Sequence, residues 1–199
     1  MNVDTFLTIA SSAPPEQIVD ALFELYDQHG HSYYDQTVTQ TEHALQTAAL
    51  AEAEHASQPL VAAALLHDIG HLLLDEHAAR PHFLGSDQAH ERVGALTLRR
   101  WFSPSVTTPI ALHVPAKRYL VTTDPNYAAG LSPASTRSLA VQGGPMSPTE
   151  ASRFARHRYA NDACQLRRWD DNAKVAGRTT PELKSYRAAL MAQLSTHEN

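Results

Sequence analysis

Histidine and aspartate stand side by side in the stretch Leu65-Leu66-His67-Asp68-Ile69-Gly70-His71, inside an apolar run from Leu60 to Leu74. His71 follows His67 by four residues, so a helix here carries both imidazoles on one face. Burying two imidazoles and a carboxylate in such a run is costly unless they are paired or bind something. A metal ion meets that need. Carboxylate with imidazole suits iron, manganese or zinc better than calcium or a thiolate-loving ion. The plainer alternative is a helix with a polar edge whose histidines are satisfied by hydrogen bonds. Further histidines at helical positions along the chain weigh against it.

Those further groups are His43, His90, His113 and Asp170. Each falls on its own predicted helix, with His67-Asp68 on the central one. No segment alternates as a strand does, and the whole chain reads as helix. A first helix opens at Ser12 and Pro14 and stops near His29-Gly30. Thr39-Gln40-Thr41-Glu42 has the pattern of a capping box, with His43 directly after it. The central helix starts at Gln58-Pro59 and is expected to run to Leu74–Glu76. After a loop over 77–85, Ser86 caps a helix that carries His90 and ends at Trp101-Phe102. Ser103-Pro104 opens another that reaches His113, with an interruption expected at Pro109 and a new start at Pro115.

Residues 123–148 are rich in Pro, Gly and Ser, but Leu131, Leu139 and Val141 are interleaved with them. They read as an ordered excursion over one face. Ser147-Pro148-Thr149-Glu150 is a second capping box. A helix over 159–175 contains Trp169-Asp170-Asp171, and Thr180-Pro181 opens a terminal helix with Leu183, Tyr186, Leu190 and Leu194.

Composition narrows the function. The chain has 199 residues, enough for one sizeable core, and is expected to be a single domain over 1–199, with its core at 14–176 and a C-terminal helix at 180–195. Net charge is -5 with no basic block, which speaks against a nucleic-acid partner. The single cysteine, Cys164, rules out an intramolecular disulfide and a thiolate metal site. No apolar run reaches membrane-spanning length and Met1 to Pro15 does not look like a secretory signal, so no membrane partner and a cytoplasmic location are expected.

The order His43, His67-Asp68, Asp170 resembles the HD-domain superfamily, an all-α metal-binding bundle whose signature is His, His-Asp and a distant Asp. The additional His90 and His113 are what a dinuclear member needs. The resemblance implies that Asp68 bridges two metals, with His43, His67 and Asp170 on one and His90 and His113 on the other. Leu131-Ser132-Pro133-Ala134-Ser135, Leu139 to Pro145, Trp169 to Lys174 and the placement of Lys117 four residues after His113 are similar to one branch. That branch is the mixed-valent diiron oxygenases that cleave hydroxylated aminoalkylphosphonates; myo-inositol oxygenase is a more distant relative.

The branch implies two iron ions, Fe(II) and Fe(III), with dioxygen as co-substrate. It implies a 1-hydroxy-2-aminoethylphosphonate or its trimethylammonium analogue as the small-molecule partner, supplied by an upstream phosphonate hydroxylase. Phosphate is released with glycine or glycine betaine. His71, Lys117 and Ser135 are then expected to hold the phosphonate by charge-assisted hydrogen bonds. Tyr33 matches a gating tyrosine, with Tyr34 as the competing assignment. Where members acting on primary amines carry a glutamate, this chain has Gln36, which suits a methylated ammonium beside aromatic faces. The rival readings are an HD-type metal-dependent phosphohydrolase, since a dinuclear site also activates water, and a non-catalytic ligand sensor that kept the fold.

Overall fold

Proline opens helix after helix in this chain, at a position where its missing N–H and fixed φ cost nothing. In the computed structural model, which describes residues 2–33, 37–74 and 89–195, Pro15 begins α2 (Pro15–His29), Pro104 begins α7 (Pro104–Thr123), and Pro125, Pro133 and Pro148 begin α8 (Pro125–Ala129), α9 (Pro133–Val141) and α10 (Pro148–Ala155). The remaining helices are α1 (Val3–Leu7), α3 (Gln40–Ala53), α4 (Gln58–Leu66), α5 (Ile69–Leu73), α6 (His90–Leu98), α11 (Ala160–Asn172) and α12 (Arg187–Met191), the last preceded by a 3-10 turn at Leu183–Tyr186. Among the described residues the β-type pairing consists of isolated bridges, so the expected all-α, single-domain class holds.

The helix α4 is buried on every side from Leu60 to Leu66, the mark of a helix at the centre of a bundle. It is covered by α3 and α7, and α11 lies across α3, α4 and α7. The Tyr26 hydroxyl, on α2, donates to the Leu65 carbonyl at 2.7 Å and so satisfies a carbonyl that the end of α4 leaves open. Away from the centre, Phe6 of α1 packs edge-on against Trp101, and the Trp101 indole donates to the Ala10 carbonyl. Ser195 N–H donates to the Trp101 carbonyl, which brings the C-terminal segment to the same place.

Four expectations need correction, the first being the helix expected over 159–175, which ends at Asn172. The central helix is not continuous: it breaks at His67-Asp68 into α4 and α5. The interruption at Pro109 does not occur, and α7 runs unbroken through both Pro109 and Pro115. Each proline removes one backbone bond, but α7 is packed against α4, α6 and α11, and that burial outweighs the loss. The terminal helix is shorter than its leucine pattern suggests. Leu183 and Tyr186 are three apart and share a face in the 3-10 turn, so only Arg187–Met191 is α-helical.

Candidate metal centre

Five elements deliver the polar groups. Thr39 and Glu42 form the expected capping box, which starts α3 and leaves His43 in its first turn, fully buried. The break between α4 and α5 falls on Asp68, whose φ of -102° and ψ of 11° are not those of a continuing helix. His90 is the first residue of α6, His113 lies in the middle of α7, and Asp170 sits in the last turn of α11. All six side chains are buried.

Asp68 is at the middle of the cluster, and its two oxygens face different partners. Oδ2 is 3.4 Å from His43 Nε2 and 3.2 Å from His67 Nε2. Oδ1 is 3.3 Å from His90 Nε2 and 3.6 Å from His113 Nε2, yet it makes no hydrogen bond among the described residues. Asp170 adds Oδ1 at 3.4 Å from His43 Nε2. The atoms of His43, His67 and Asp68, and separately those of Asp68, His90 and His113, lie close enough to hold one ion each.

Tautomers make the case chemical. Nδ1 of His43 contacts the Ala173 carbonyl at 2.8 Å, Nδ1 of His67 the Ala64 carbonyl at 2.9 Å and Nδ1 of His113 the Ile110 carbonyl at 2.8 Å. A carbonyl only accepts, so each Nδ1 carries a proton, and the neutral ring then presents its lone pair on Nε2. In the neutral form the Nε2 atoms of His43 and His67 face each other at 3.2 Å, lone pair to lone pair. Those of His90 and His113 approach to 3.3 Å. Two nitrogens bound to one cation at about 2.1 Å stand roughly 3.0–3.4 Å apart. The residues therefore fit a pair of metal ions, one on each side of Asp68.

Electrostatics agree. Burial alone would raise Asp68, but without a metal the imidazoles around it, His67 first and then His43 and His90, take up positive charge at its oxygens and hold its carboxyl well below the ordinary range. Burial lowers His43, while Asp170 and Asp68 more than reverse this and lift it to about 9, so protons compete with a metal for that nitrogen. Burial depresses His113 strongly, which favours the neutral ligand form. Asp170 is kept ionised against burial chiefly by Arg167 and Lys174. Arg167 meets Asp170 at 2.5 Å and also grips Asp171, so one guanidinium fork spans both carboxylates.

The expected phosphonate groups fall into two sets. His71 remains near the centre in spite of the helix break, 3.9 Å from Asp68 Oδ1 and stacked on the His90 ring at 3.8 Å. Lys117 is buried and donates to Ser138 Oγ at 2.7 Å. Ser135 is also buried, but its hydroxyl donates to Asp171 Oδ1 at 3.1 Å, so its proton already has a partner within the protein. Tyr33 is 67% exposed and pairs with Thr39 in a short bridge, so its ring lies outside the buried cluster. Gln36, Tyr34 and Ser86 lie outside the described residues.

Sequence reasoning passed over Arg167, Asp171 and Tyr127. The Tyr127 hydroxyl donates to Asp171 at 2.5 Å. A signal existed: Arg167, Asp170, Asp171 and Lys174 have the three- and four-residue spacings that bring charges together on a helix.

Comparison with known proteins agrees with this geometry. The HD domain family matches residues 41–129, which contain His43, His67, Asp68, His90 and His113. A hydroxymethylphosphonate dioxygenase of Gimesia maris is 51% identical over 178 residues, covering 89% of each chain. The chain belongs to the HD-domain phosphonate dioxygenase family. A second member, the glycine-betaine-forming [1-hydroxy-2-(trimethylamino)ethyl]phosphonate dioxygenase of Leisingera caerulea, is 34% identical over 181 residues, covering 90% of this chain and 92% of its own. An uncharacterised protein of Acanthamoeba polyphaga mimivirus, L432, is similar at 34% identity over 186 residues, covering 92% of this chain and 84% of its own.

Proposed function

We propose that this protein is a diiron oxygenase that uses dioxygen to cleave the carbon–phosphorus bond of a small 1-hydroxylated phosphonate. The observation that carries the reading is the 51% identity to a hydroxymethylphosphonate dioxygenase along 89% of both chains. Hydroxymethylphosphonate is accordingly the first substrate to test. One dioxygen converts it to formate, phosphate and a proton, with the carbon oxidised to a carboxylate. Gln36 suits this choice too, because a substrate with no ammonium needs no carboxylate partner there. The trimethylammonium compound is the second candidate, supported by the 34% relative and by the affinity of methylated ammonium for aromatic faces. Either substrate requires an earlier enzyme that hydroxylates the carbon bearing phosphorus.

His43, His67 and Asp170 would hold one iron and His90 and His113 the other, with Asp68 shared. A mixed-valent iron pair bound there would supply the electrons for dioxygen activation. Everything else falls to the protein. Lys117, drawn down to about 7 by burial and then by the neighbouring Arg167 charge, is a cation whose proton a phosphonate dianion stabilises. Lys174, 3.5 Å from Asp170, adds positive charge at the same edge. His71 lies within reach of the cluster as a donor. The buried walls of α4 and α7 exclude bulk water, which strengthens each of these contacts. Tyr33, exposed here, would act as a gate only by moving inward from its surface position.

The test is aerobic turnover of iron-loaded, ascorbate-reduced protein on hydroxymethylphosphonate and on 1-hydroxy-2-(trimethylammonio)ethylphosphonate, following oxygen uptake and phosphate release together. Equal amounts of oxygen consumed and phosphate formed are expected, with the preferred compound fixing the substrate. Phosphate release from phosphate esters without oxygen uptake would instead assign the protein to the HD phosphohydrolases.

A further inference from the structure

Gln46 is almost fully buried on α3, three residues beyond His43, and no part of the proposed reaction uses it. Its amide makes two hydrogen bonds to one residue of the segment that follows α11. Nε2 donates to the Val175 carbonyl at 2.9 Å, and Oε1 accepts from the Val175 N–H at 3.1 Å. This is the pairing that a neighbouring β-strand would offer, made by a side chain. It fixes both the position and the rotation of the Val175 peptide groups. A buried amide spent on the backbone of an exposed residue calls for an explanation, and Val175 is 44% exposed.

The explanation lies two residues back. The helix α11 ends at Asn172, short of the length its sequence suggests, and the chain turns toward α3. Ala173, the first residue after the helix, presents its carbonyl to His43 Nδ1 at 2.8 Å. That carbonyl sets the His43 tautomer and ring plane, and Asp170 lies three residues before it. Gln46 thus closes a loop of contacts: α3 carries His43 and Gln46, Gln46 holds Val175, and the held segment returns a carbonyl to His43.

We propose that Gln46 is a positioning residue for the half of the metal centre formed by His43, His67 and Asp170, acting through Val175 and the Ala173 carbonyl. It has no corresponding link to the other half. There His113 takes its orienting bond from Ile110 within α7. Within the Gln46 half His67 takes its own from Ala64 within α4, so the dependence on Gln46 runs through His43. The effect of changing Gln46 should therefore be unequal between the two ions. Loss of an outer hydrogen-bond partner of a metal-bound histidine lowers metal affinity about 10- to 100-fold. The inference rests on the grouping of ligands and not on the reaction.

The experiment uses zinc, a redox-silent probe, titrated against a chromogenic chelator. In a His90→Ala background, which leaves the His43 half, adding Gln46→Met should weaken zinc binding about 10- to 100-fold. In a His43→Ala, Asp170→Ala background, which leaves the His90 half, adding Gln46→Met should leave zinc affinity within about twofold. Thr47→Val is the matched control. It removes a different buried hydrogen bond of α3, from the Thr47 hydroxyl to the His43 carbonyl at 2.7 Å, and should not separate the two halves. Equal weakening in both backgrounds would make Gln46 a general structural residue and overturn the proposal, as would no weakening in either. Gln46→Glu keeps the size and the acceptor for Val175 N–H. If Gln46→Met does not fold, the same comparison with Gln46→Glu decides, with a smaller loss confined to the His43 half expected. None of these outcomes depends on oxygen uptake, so the proposal and the oxygenase reading fail separately.

Discussion

Replacing Gly70 by alanine should remove one metal and leave the other. Gly70 lies on α5 against the start of α6, and a Cβ placed on it would stand 2.0 Å from the His90 carbonyl oxygen, 2.7 Å from its carbon and 3.0 Å from its Cα. All three are backbone atoms of a proposed ligand, so no side-chain rotation relieves the clash. An ordinary carbon–oxygen contact begins at about 3.3 Å, so α5 and α6 must separate by roughly 1.3 Å. Metal–ligand distances tolerate only about 0.2 Å. His90 would therefore be carried several tolerances away from Asp68 Oδ1 and His113, which it now approaches to 3.3 Å each.

The His43, His67 and Asp170 side does not touch this contact and should keep its ion. Overpacking of this kind costs about 1–3 kcal/mol, more than the ~1 kcal/mol gained from replacing glycine in a helix. The assay is elemental analysis of purified, iron-loaded Gly70→Ala protein beside wild type, with thermal unfolding of both metal-free forms. The expected stoichiometry falls from two ions to one, and the metal-free variant melts lower. Two tightly held ions and an unchanged melting temperature would refute the packing argument and, with it, the view that α5 sets the position of His90.

Other changes test other parts of the site. Asp68→Asn should lose both ions, because each carboxylate oxygen faces a different histidine pair, whereas Asp170→Asn should lose one; elemental analysis distinguishes them. Lys117 has its pKa lowered to about 7, so its charge is present below that pH and lost above it. Affinity for inorganic phosphate, measured calorimetrically, should therefore weaken more between pH 7 and 9 in wild type than in Lys117→Arg, where the cation persists; parallel curves would remove Lys117 from anion binding. Thr39→Ala breaks the α3 capping box and should cost about 1 kcal/mol, a fall in melting temperature of roughly 2–4 °C by circular dichroism.

Much of the site could be read before any coordinates, because its ligands follow patterns that survive in one dimension. His67 and Asp68 are adjacent polar groups in an apolar run, and two capping boxes marked where α3 and α10 begin. What escaped depended on tertiary contact. The break at Asp68 has no proline or glycine at the break itself to announce it; it becomes intelligible only when the Asp68 carboxylate is seen between four imidazoles. The continuity of α7 through Pro109 and Pro115 reflects burial on several sides, which no local rule contains. Asp171 was overshadowed by its neighbour, although it gathers Arg167, Ser135 and Tyr127 from three helices. Ser135 was assigned the right neighbourhood, but its hydroxyl is directed to Asp171, a distinction that sequence does not carry.

The carbonyls of Ala64, Ile110 and Ala173 orient three of the four histidines. Every residue type has a carbonyl, so this layer of the site is invisible to substitution. A chain drifting through sequence space can exchange one small or apolar residue for another at 64, 110 or 173 without touching the imidazole tautomers. What it cannot tolerate is a change of backbone path: a one-residue insertion in α4, or a deletion between Asp170 and Val175, would turn the carbonyl away. Divergent chains of this kind should therefore exchange residues of similar size at these buried orienting positions while keeping the lengths of the segments that contain them. An engineer who wishes to retune the metals would do better to alter segment length than to search these positions for a polar residue.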